Sequence, residues 1–381
     1  MESSSTFNGA SIASILACTV SVPLDSSTSF STRNVSARDY TLVKLVSEDG
    51  VEGIGFCYAG SRAGSLSTSA VRSLLAPLLQ NQDPYCVESL WKEMYQEALL
   101  HGRAGSVMRA MSALDIAIWD HNARAANLPL YKYLGAFHSE SVPAYASGGY
   151  YLEDKTPEML GEEMASYVDV GFEAVKMKVG RLDPPEEEKR VAAARESVGP
   201  DVSLMLDANN AWADLPTALR FIKRLEKYDP YWIEEPFSPD DIENHARLAK
   251  RTPVLVTTGE IEAGRWRHKE ILDKHAAAVL QTDAAVCGGI TEFRRIAATA
   301  SSYGVTIAPH WFHDLHAHLV AAIPNGLFVE YFPDDKVLNF RRLINRQMEV
   351  HGGNLILPSL PGLGFEFEEE NVAQFSLDGW R

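Results

Sequence analysis

Ala174-Val175-Lys176-Met177-Lys178, Ser203-Leu204-Met205-Leu206-Asp207 and Tyr231-Trp232-Ile233-Glu234 are three successive short apolar runs, each closing on a charged side chain. Runs this apolar read as strands buried on both faces, the pattern of a parallel sheet covered by helices. The closing charges are 29 residues apart from Lys178 to Asp207 and 27 apart from Asp207 to Glu234. A strand, a loop, a crossover helix and a return loop need more than about twenty residues. Each interval therefore holds one βα unit.

Outward from this stretch the interval persists, with 26 residues to Glu260, 23 more to Asp283, 27 to His310 and 20 to Glu330. Further apolar runs stand at residues 143–147, 254–258, 278–281, 306–309 and 327–330. Eight such runs predict an α/β fold with a (β/α) barrel of TIM type. Between them, Leu215, Ala218, Leu219, Ile222 and Leu225 fall at helical spacing behind Asp214 as N-cap, and helices are expected over 187–198 and 291–303. Before the barrel, residues 11–24, 40–46 and 51–58 read as strands, the last two joined by Glu48-Asp49-Gly50, and residues 67–134 read as helical. The expected domains are an α+β capping domain over 1–140, the barrel over 141–350, and a tail over 351–381 that packs back onto the cap.

Composition fits a soluble globular protein of more than one small core: 381 residues, 46% hydrophobic and 23% charged. A net charge of −16 argues against nucleic acid or an anionic membrane as partner, while a local cation cluster can still take a small anionic substrate. Cys18, Cys57, Cys86 and Cys287 show no CxxC spacing, which fits a reduced, cytoplasmic setting. Ser14-Ile15-Leu16-Ala17-Cys18 has the look of a lipid-attachment site but lacks the basic start of a signal peptide, so it reads as a strand. No apolar run approaches the ~20 residues of a membrane span.

Asp207, Glu234 and Glu260 close three consecutive strands, so a barrel brings them to one side of its mouth. One acid at a strand end reads most simply as a solvated loop residue, but three in series describe an oxygen-only site for a hard cation, Mg2+. Alternation along a strand turns Glu235 away from Glu234 and leaves it outside the ligand set. Lys176 and Lys178 share a face, and two ammoniums near a dication should lower at least one pKa towards that of a base. Lys178 is the base candidate, with Lys176 placing the substrate carboxylate. His310 and Asp283 close adjacent strands as an imidazole and the carboxylate that orients it. Glu330 is a partner for a substrate carboxylate if protonated, and otherwise supports the site from behind the residues that touch the substrate. Readings from other classes are a zinc hydrolase built on His310, His313, His316 and His318, and a non-catalytic sugar-acid-binding barrel.

Lys176-Met-Lys178, Asp207-Ala-Asn209, Trp232-Ile-Glu234-Glu235-Pro236, Gly259-Glu260, Asp283 followed by Gly288-Gly289-Ile290-Thr291, Pro309-His310 and Glu330 together resemble the mandelate racemase subgroup of the enolase superfamily over nearly the whole chain. That superfamily is itself the general example of a lysine or histidine base working beside magnesium. The resemblance implies Mg2+-assisted removal of the proton α to a carboxylate, giving a metal-stabilised enediolate. Loss of the β-hydroxyl with His310 as acid would then yield a 2-keto-3-deoxy acid from an aldonate or aldarate. A racemase or epimerase would instead use Lys178 and His310 on opposite faces of one carbon. Polar cap segments, residues 26–38 and 58–64 with His101 and Arg103, favour a sugar acid. Substrate-binding candidates are Glu330, Asn209, Arg103 and Tyr58. The resemblance also implies a homo-oligomer.

Overall fold

In the computed structural model, which describes residues 10–138 and 140–381, the chain begins with an antiparallel meander of β1 (Ile12–Phe30), β2 (Arg33–Ser47) and β3 (Glu52–Tyr58). The polar segment 26–38 extends the β1–β2 hairpin. Pro23 cannot donate a ladder hydrogen bond, and the register shifts between Pro23 and Thr28 before pairing resumes at Thr28–Val35. The hairpin tip reaches the barrel, where Ser31 Oγ donates to the Val179 carbonyl at 2.5 Å and Thr32 Oγ1 to the Asn209 carbonyl at 3.4 Å.

The helices Val87–His101 and Ser106–Ala125 cover the meander. Ser106–Ala125 lies directly on β3. A Cβ at Gly55 would stand 1.9 Å from the Ala113 carbonyl oxygen, so only glycine allows this approach.

The barrel strands are β4 (Ser141–Ser147), β5 (Ala174–Lys178), β6 (Ser203–Asp207), β7 (Pro230–Glu234), β8 (Leu255–Thr258), β9 (Val279–Leu280), β10 (Thr306–Ile307) and β11 (Val329–Tyr331). They pair in parallel in chain order, and β11 pairs with β4. A bridge between Ile307 and Gly326, with the Leu327 N–H donating to the Ile307 carbonyl at 2.8 Å, closes the ring. Register places Lys178 beside Asp207 and Asp207 beside Glu234. The helices stop and start where the local chemistry requires. The Asp214 side chain accepts from the Thr217 N–H at 2.8 Å to cap Leu215–Leu225, and Gly199 with φ +78 follows the helix Pro184–Val198.

Among the described residues no crossover helix follows β11, so the barrel has eight strands and seven units with full helices. The chain instead turns through Asn339–Leu343 into the cap, where the Phe340 ring lies 4.4 Å from that of Phe56 and 5.5 Å from that of Tyr40. Each fully buried aromatic of this cluster contributes about 2 kcal/mol. A hairpin of β12 (Val350–His351) and β13 (Asn354–Ile356) then pairs antiparallel with the start of β4. Leu363, Phe365, Phe367 and Val372 join the cap core, and Ala17 and Arg381 exchange backbone hydrogen bonds at 2.9 and 3.2 Å.

Gly288-Gly289-Ile290-Thr291 docks cap against barrel. Asp115 accepts from the Thr291 N–H (2.9 Å) and hydroxyl (2.6 Å), and Trp91 Nε1 donates to the Gly288 carbonyl at 2.7 Å. Residues 14–18 lie in β1, as expected. Among the described residues no helix is long and apolar enough to cross a membrane, and the four cysteines are free.

Candidate active site

The C-terminal ends of the barrel strands face the cap across a cavity of about 180 Å³. From the barrel it is lined by Lys178, Asn209, Asn210, Glu235, Glu260, His310, Trp311 and Glu330, and from the cap by Phe30, Thr32, Arg33, Arg38, Tyr58 and Arg109. Asn209, Asn210, Glu235 and Trp311 have left-handed φ values of +44°, +64°, +40° and +77°. Four strained non-glycine residues at one barrel mouth are characteristic of a functional site.

Lys178 closes β5 at the cavity edge and donates to Asp207. Burial lowers the Lys178 pKa, but the adjoining Asp207 carboxylate, together with Tyr150 and Glu234, raises it overall. Lys176, one β-step deeper, is fully buried; its ammonium holds Glu234 at 2.7 and 2.9 Å, Glu330 at 2.8 Å and the Tyr145 hydroxyl at 3.3 Å. Burial opposes its charge too, and Glu234 and Glu330 prevail, keeping it an ammonium. Neither lysine pKa is depressed in this arrangement, because each ammonium meets a carboxylate before it meets the other ammonium.

His310 holds Nδ1 3.0 Å from Asp283 Oδ2 and Nε2 3.6 Å from Glu260 Oε1. Burial pushes the imidazole pKa down, while Glu260 and the Asp283 hydrogen bond bring it up to about 9. Asp283 Oδ1 accepts from the Ala285 N–H at 2.8 Å and lies 3.4 Å from His316 Nε2, which fixes the carboxylate.

The acids Asp207, Glu234, Glu235, Glu260, Asp283 and Glu330 outnumber the cations Lys176, Lys178 and His310. Burial and this surplus shift the pKa values of three of the acids upward. Burial and then Asp207 raise Glu234, burial and then Glu260 raise Glu235, and burial raises Glu260. Glu260 Oε2, Glu235 Oε1 and Asn209 Oδ1 are buried without a hydrogen-bond partner. Surplus carboxylate charge and unpartnered buried oxygens fit a hard divalent cation. Asp207 and Glu234 are nonetheless turned to the lysines, and among the described residues no three His, Cys, Asp or Glu side chains stand as a ready coordination group. The fit rests on donor chemistry rather than on ligand geometry.

Several expected roles are revised by placement. Lys176 lies below the cavity floor and is not placed to take a substrate carboxylate. Burial raises the Glu330 pKa, but Lys176 and then His310 lower it to about 2, so it is a carboxylate rather than a protonated partner. It accepts from the Trp311 N–H at 2.8 Å. Glu235 lines the cavity because its left-handed φ ends the strand's alternation. Arg103 is exposed and away from the cavity, as is His101. Asn209 and Tyr58 line it. The other histidines do not gather: His318 accepts from the Tyr131 N–H at 3.2 Å and reaches the Leu363 carbonyl at 3.1 Å, while His316 turns to Asp283. Sequence reasoning placed Arg38 only as the last residue of the polar segment 26–38 and did not mark Arg109 or Trp311. Trp311 had a signal in adjoining His310; the arginines had none that local spacing could give.

A barrel of this kind under an α+β cap, with its charged groups at the strand ends, defines an enolase-type architecture. Residues 13–135 match the mandelate racemase / muconate lactonizing enzyme N-terminal domain and residues 159–371 the enolase C-terminal domain-like family. The chain belongs to the enolase superfamily, in its mandelate racemase subgroup. It is 35% identical to the L-talarate/galactarate dehydratase of Salmonella typhimurium, covering 86% of this chain and 80% of that one. It is 34% identical to the arabinonate dehydratase of Saccharolobus solfataricus, covering 86% and 87%. The crystal structure of the Salmonella typhimurium enzyme liganded with Mg and L-lyxarohydroxamate superposes with a TM-score of 0.91 at 29% identity, covering 100% of this chain and 96% of that one.

Proposed function

We infer that the protein is a Mg2+-dependent acid-sugar dehydratase, with Asp207, Glu234 and Glu260 as the residues that would hold the cation. The observation that carries this reading is that Lys178 and the Asp283-oriented His310 open on one cavity with the unpartnered oxygen of Glu260 between the barrel and the cap. When bound, a divalent cation polarises the substrate carboxylate and engages the Asp207 charge that otherwise keeps Lys178 protonated.

In this reading Lys178 Nζ, as the free amine, takes the proton from the carbon α to the carboxylate. The electrons of that C–H bond pass into an enediolate. The bond from the β-carbon to its hydroxyl then breaks, and the hydroxyl leaves as water with the proton from His310 Nε2. The resulting enol takes a proton at the β-carbon while its C2 hydroxyl gives one up to solvent, so it becomes a 2-keto-3-deoxy acid; Lys178 then loses, and His310 regains, a proton by exchange with water. His310 suits the acid role because a pKa of about 9 keeps it charged at neutral pH, and Asp283 on Nδ1 directs Nε2 to the cavity.

The relatives' names support dehydration and a sugar acid, and they include both an aldarate and an aldonate enzyme. The test is a panel of aldonates and aldarates incubated with the protein and Mg2+, read by 2-keto acid formation. Turnover of at least one member that stops on chelation is expected. A panel without any keto acid would remove the reading.

A further inference from the structure

Two arginines are buried among the described residues, and they are treated differently. Arg190, 6% exposed, is paired with Glu187 at 3.1 Å. Arg38, 2% exposed, forms no ion pair among the described residues; Nε donates to the Val337 carbonyl at 2.5 Å and Nη1 to the Tyr58 hydroxyl at 2.9 Å. A buried charge ordinarily has a counter-charge. Here the guanidinium lines the cavity instead.

The surroundings present that guanidinium as a fixed fork. It lies 4.4 Å from the Trp311 ring centre and 5.4 Å from that of Tyr58, two rings that are themselves stacked at 5.3 Å. Trp311 stacks on His310 at 5.3 Å, so Arg38 stands one aromatic ring beyond the reacting end of the cavity. Arg33 and Arg109 line the same cavity, and neither forms an ion pair among the described residues; Arg109 Nη1 donates only to the Tyr58 carbonyl at 2.7 Å. In a chain of net charge −16, three cap guanidiniums that line one cavity without an ion pair leave a place for an anion supplied from outside.

We propose that the substrate is an aldarate, its reacting carboxylate at the Lys178–His310 end and its far carboxylate taken by Arg38, with Arg109 and Arg33 adding charge. This rests on the dehydratase reading and goes beyond it, since an aldonate brings only a neutral hydroxyl to the same guanidiniums. Arg38 is then a specificity-determining residue supplied by the cap.

The experiment compares each hexaric acid with the hexonic acid of the same configuration. For the wild type with Mg2+, kcat/KM should favour the diacid by about 100-fold or more, and Arg38→Gln should remove about 10- to 100-fold of that for the diacid, the size of one charge-assisted hydrogen bond, with a clearly smaller loss for the monoacid. Arg109→Gln, at a less buried site, should lower diacid turnover in the same direction if Arg38→Gln fails to fold. Equal kcat/KM for diacid and monoacid, or equal losses for both in the variants, would overturn the proposal while leaving dehydration intact. Calorimetric titration of the Lys178→Ala protein with the same pairs separates the two readings. Tighter diacid binding without any turnover by the wild type would retain the anion site and remove the dehydratase; equal binding of both acids would overturn the anion site directly.

Discussion

His310 Nδ1 lies 3.0 Å from Asp283 Oδ2, so the imidazole has one nitrogen committed to a buried carboxylate and the other facing Glu260 and the cavity. A carboxylate that cannot move, held by the Ala285 N–H and beside His316, fixes the ring and favours its charged form.

The consequence for pH follows from the raised His310 pKa of about 9. Its ion-pair contribution to stability is complete below the ordinary value of 6.5 and is lost as pH rises through about 9. NMR titration of the His310 ring checks this. Asp283→Asn should bring the pKa down, and an unaltered pKa in that variant would contradict the assigned contact.

Proton removal and hydroxyl loss should separate by mutation. Lys178→Ala should reduce exchange of the α-proton by about 10²-fold or more, whereas His310→Asn should preserve exchange and reduce keto-acid formation by about 10²- to 10⁴-fold. Mass spectrometry of recovered acid in D2O distinguishes the two. Unimpaired turnover in either variant removes that residue from its role.

Cation affinity should depend on Glu260, whose Oε2 is buried without a partner. Glu260→Gln should weaken Mg2+ binding by roughly tenfold or more, since neutral oxygen replaces charged oxygen at a hard ion. Isothermal titration measures this, and an unchanged Kd would take Glu260 out of the ligand set.

The joint between cap and barrel should be intolerant of a single methyl group. At Gly289, φ is +92 and an added Cβ would stand 2.3 Å from Asp115 Oδ2. Gly289→Ala should cost about 2 kcal/mol or more. Urea unfolding at matched protein concentration gives the number, and an unshifted midpoint would show that Asp115 is not fixed there.

Much of this site was legible because barrel strands convert sequence interval into position. Asp207 and Glu234 are neighbours in register, as equal βα intervals require, and Lys178 lies beside Asp207 for the same reason. What failed was depth, backbone twist and long-range contact. Lys176 and Lys178 share a face, yet two residues separate them by about 6.6 Å along the strand, which puts Lys176 beneath the cavity and Lys178 at its edge. Glu235 left its alternation through a left-handed φ that no side-chain pattern signals. Arg38 appears in the sequence only as one residue of a polar segment. Its function depends on Tyr58, Trp311 and Val337, which lie in separate elements and are joined only by the folded hairpin. The missing eighth helix was hidden likewise, because Phe340 is drawn to the aromatic core of the cap.

In the dehydratase reading one cavity both removes an α-proton and expels a β-hydroxyl. Incubating the wild-type protein with Mg2+ and the sugar-acid panel in D2O, and reading products by NMR, tests both halves together. The account predicts a 2-keto-3-deoxy acid carrying deuterium at C3, absent with Lys178→Ala and absent after chelation. Recovery of an epimerised acid labelled at C2 with no keto acid would contradict it, as would no exchange and no product from any member of the panel.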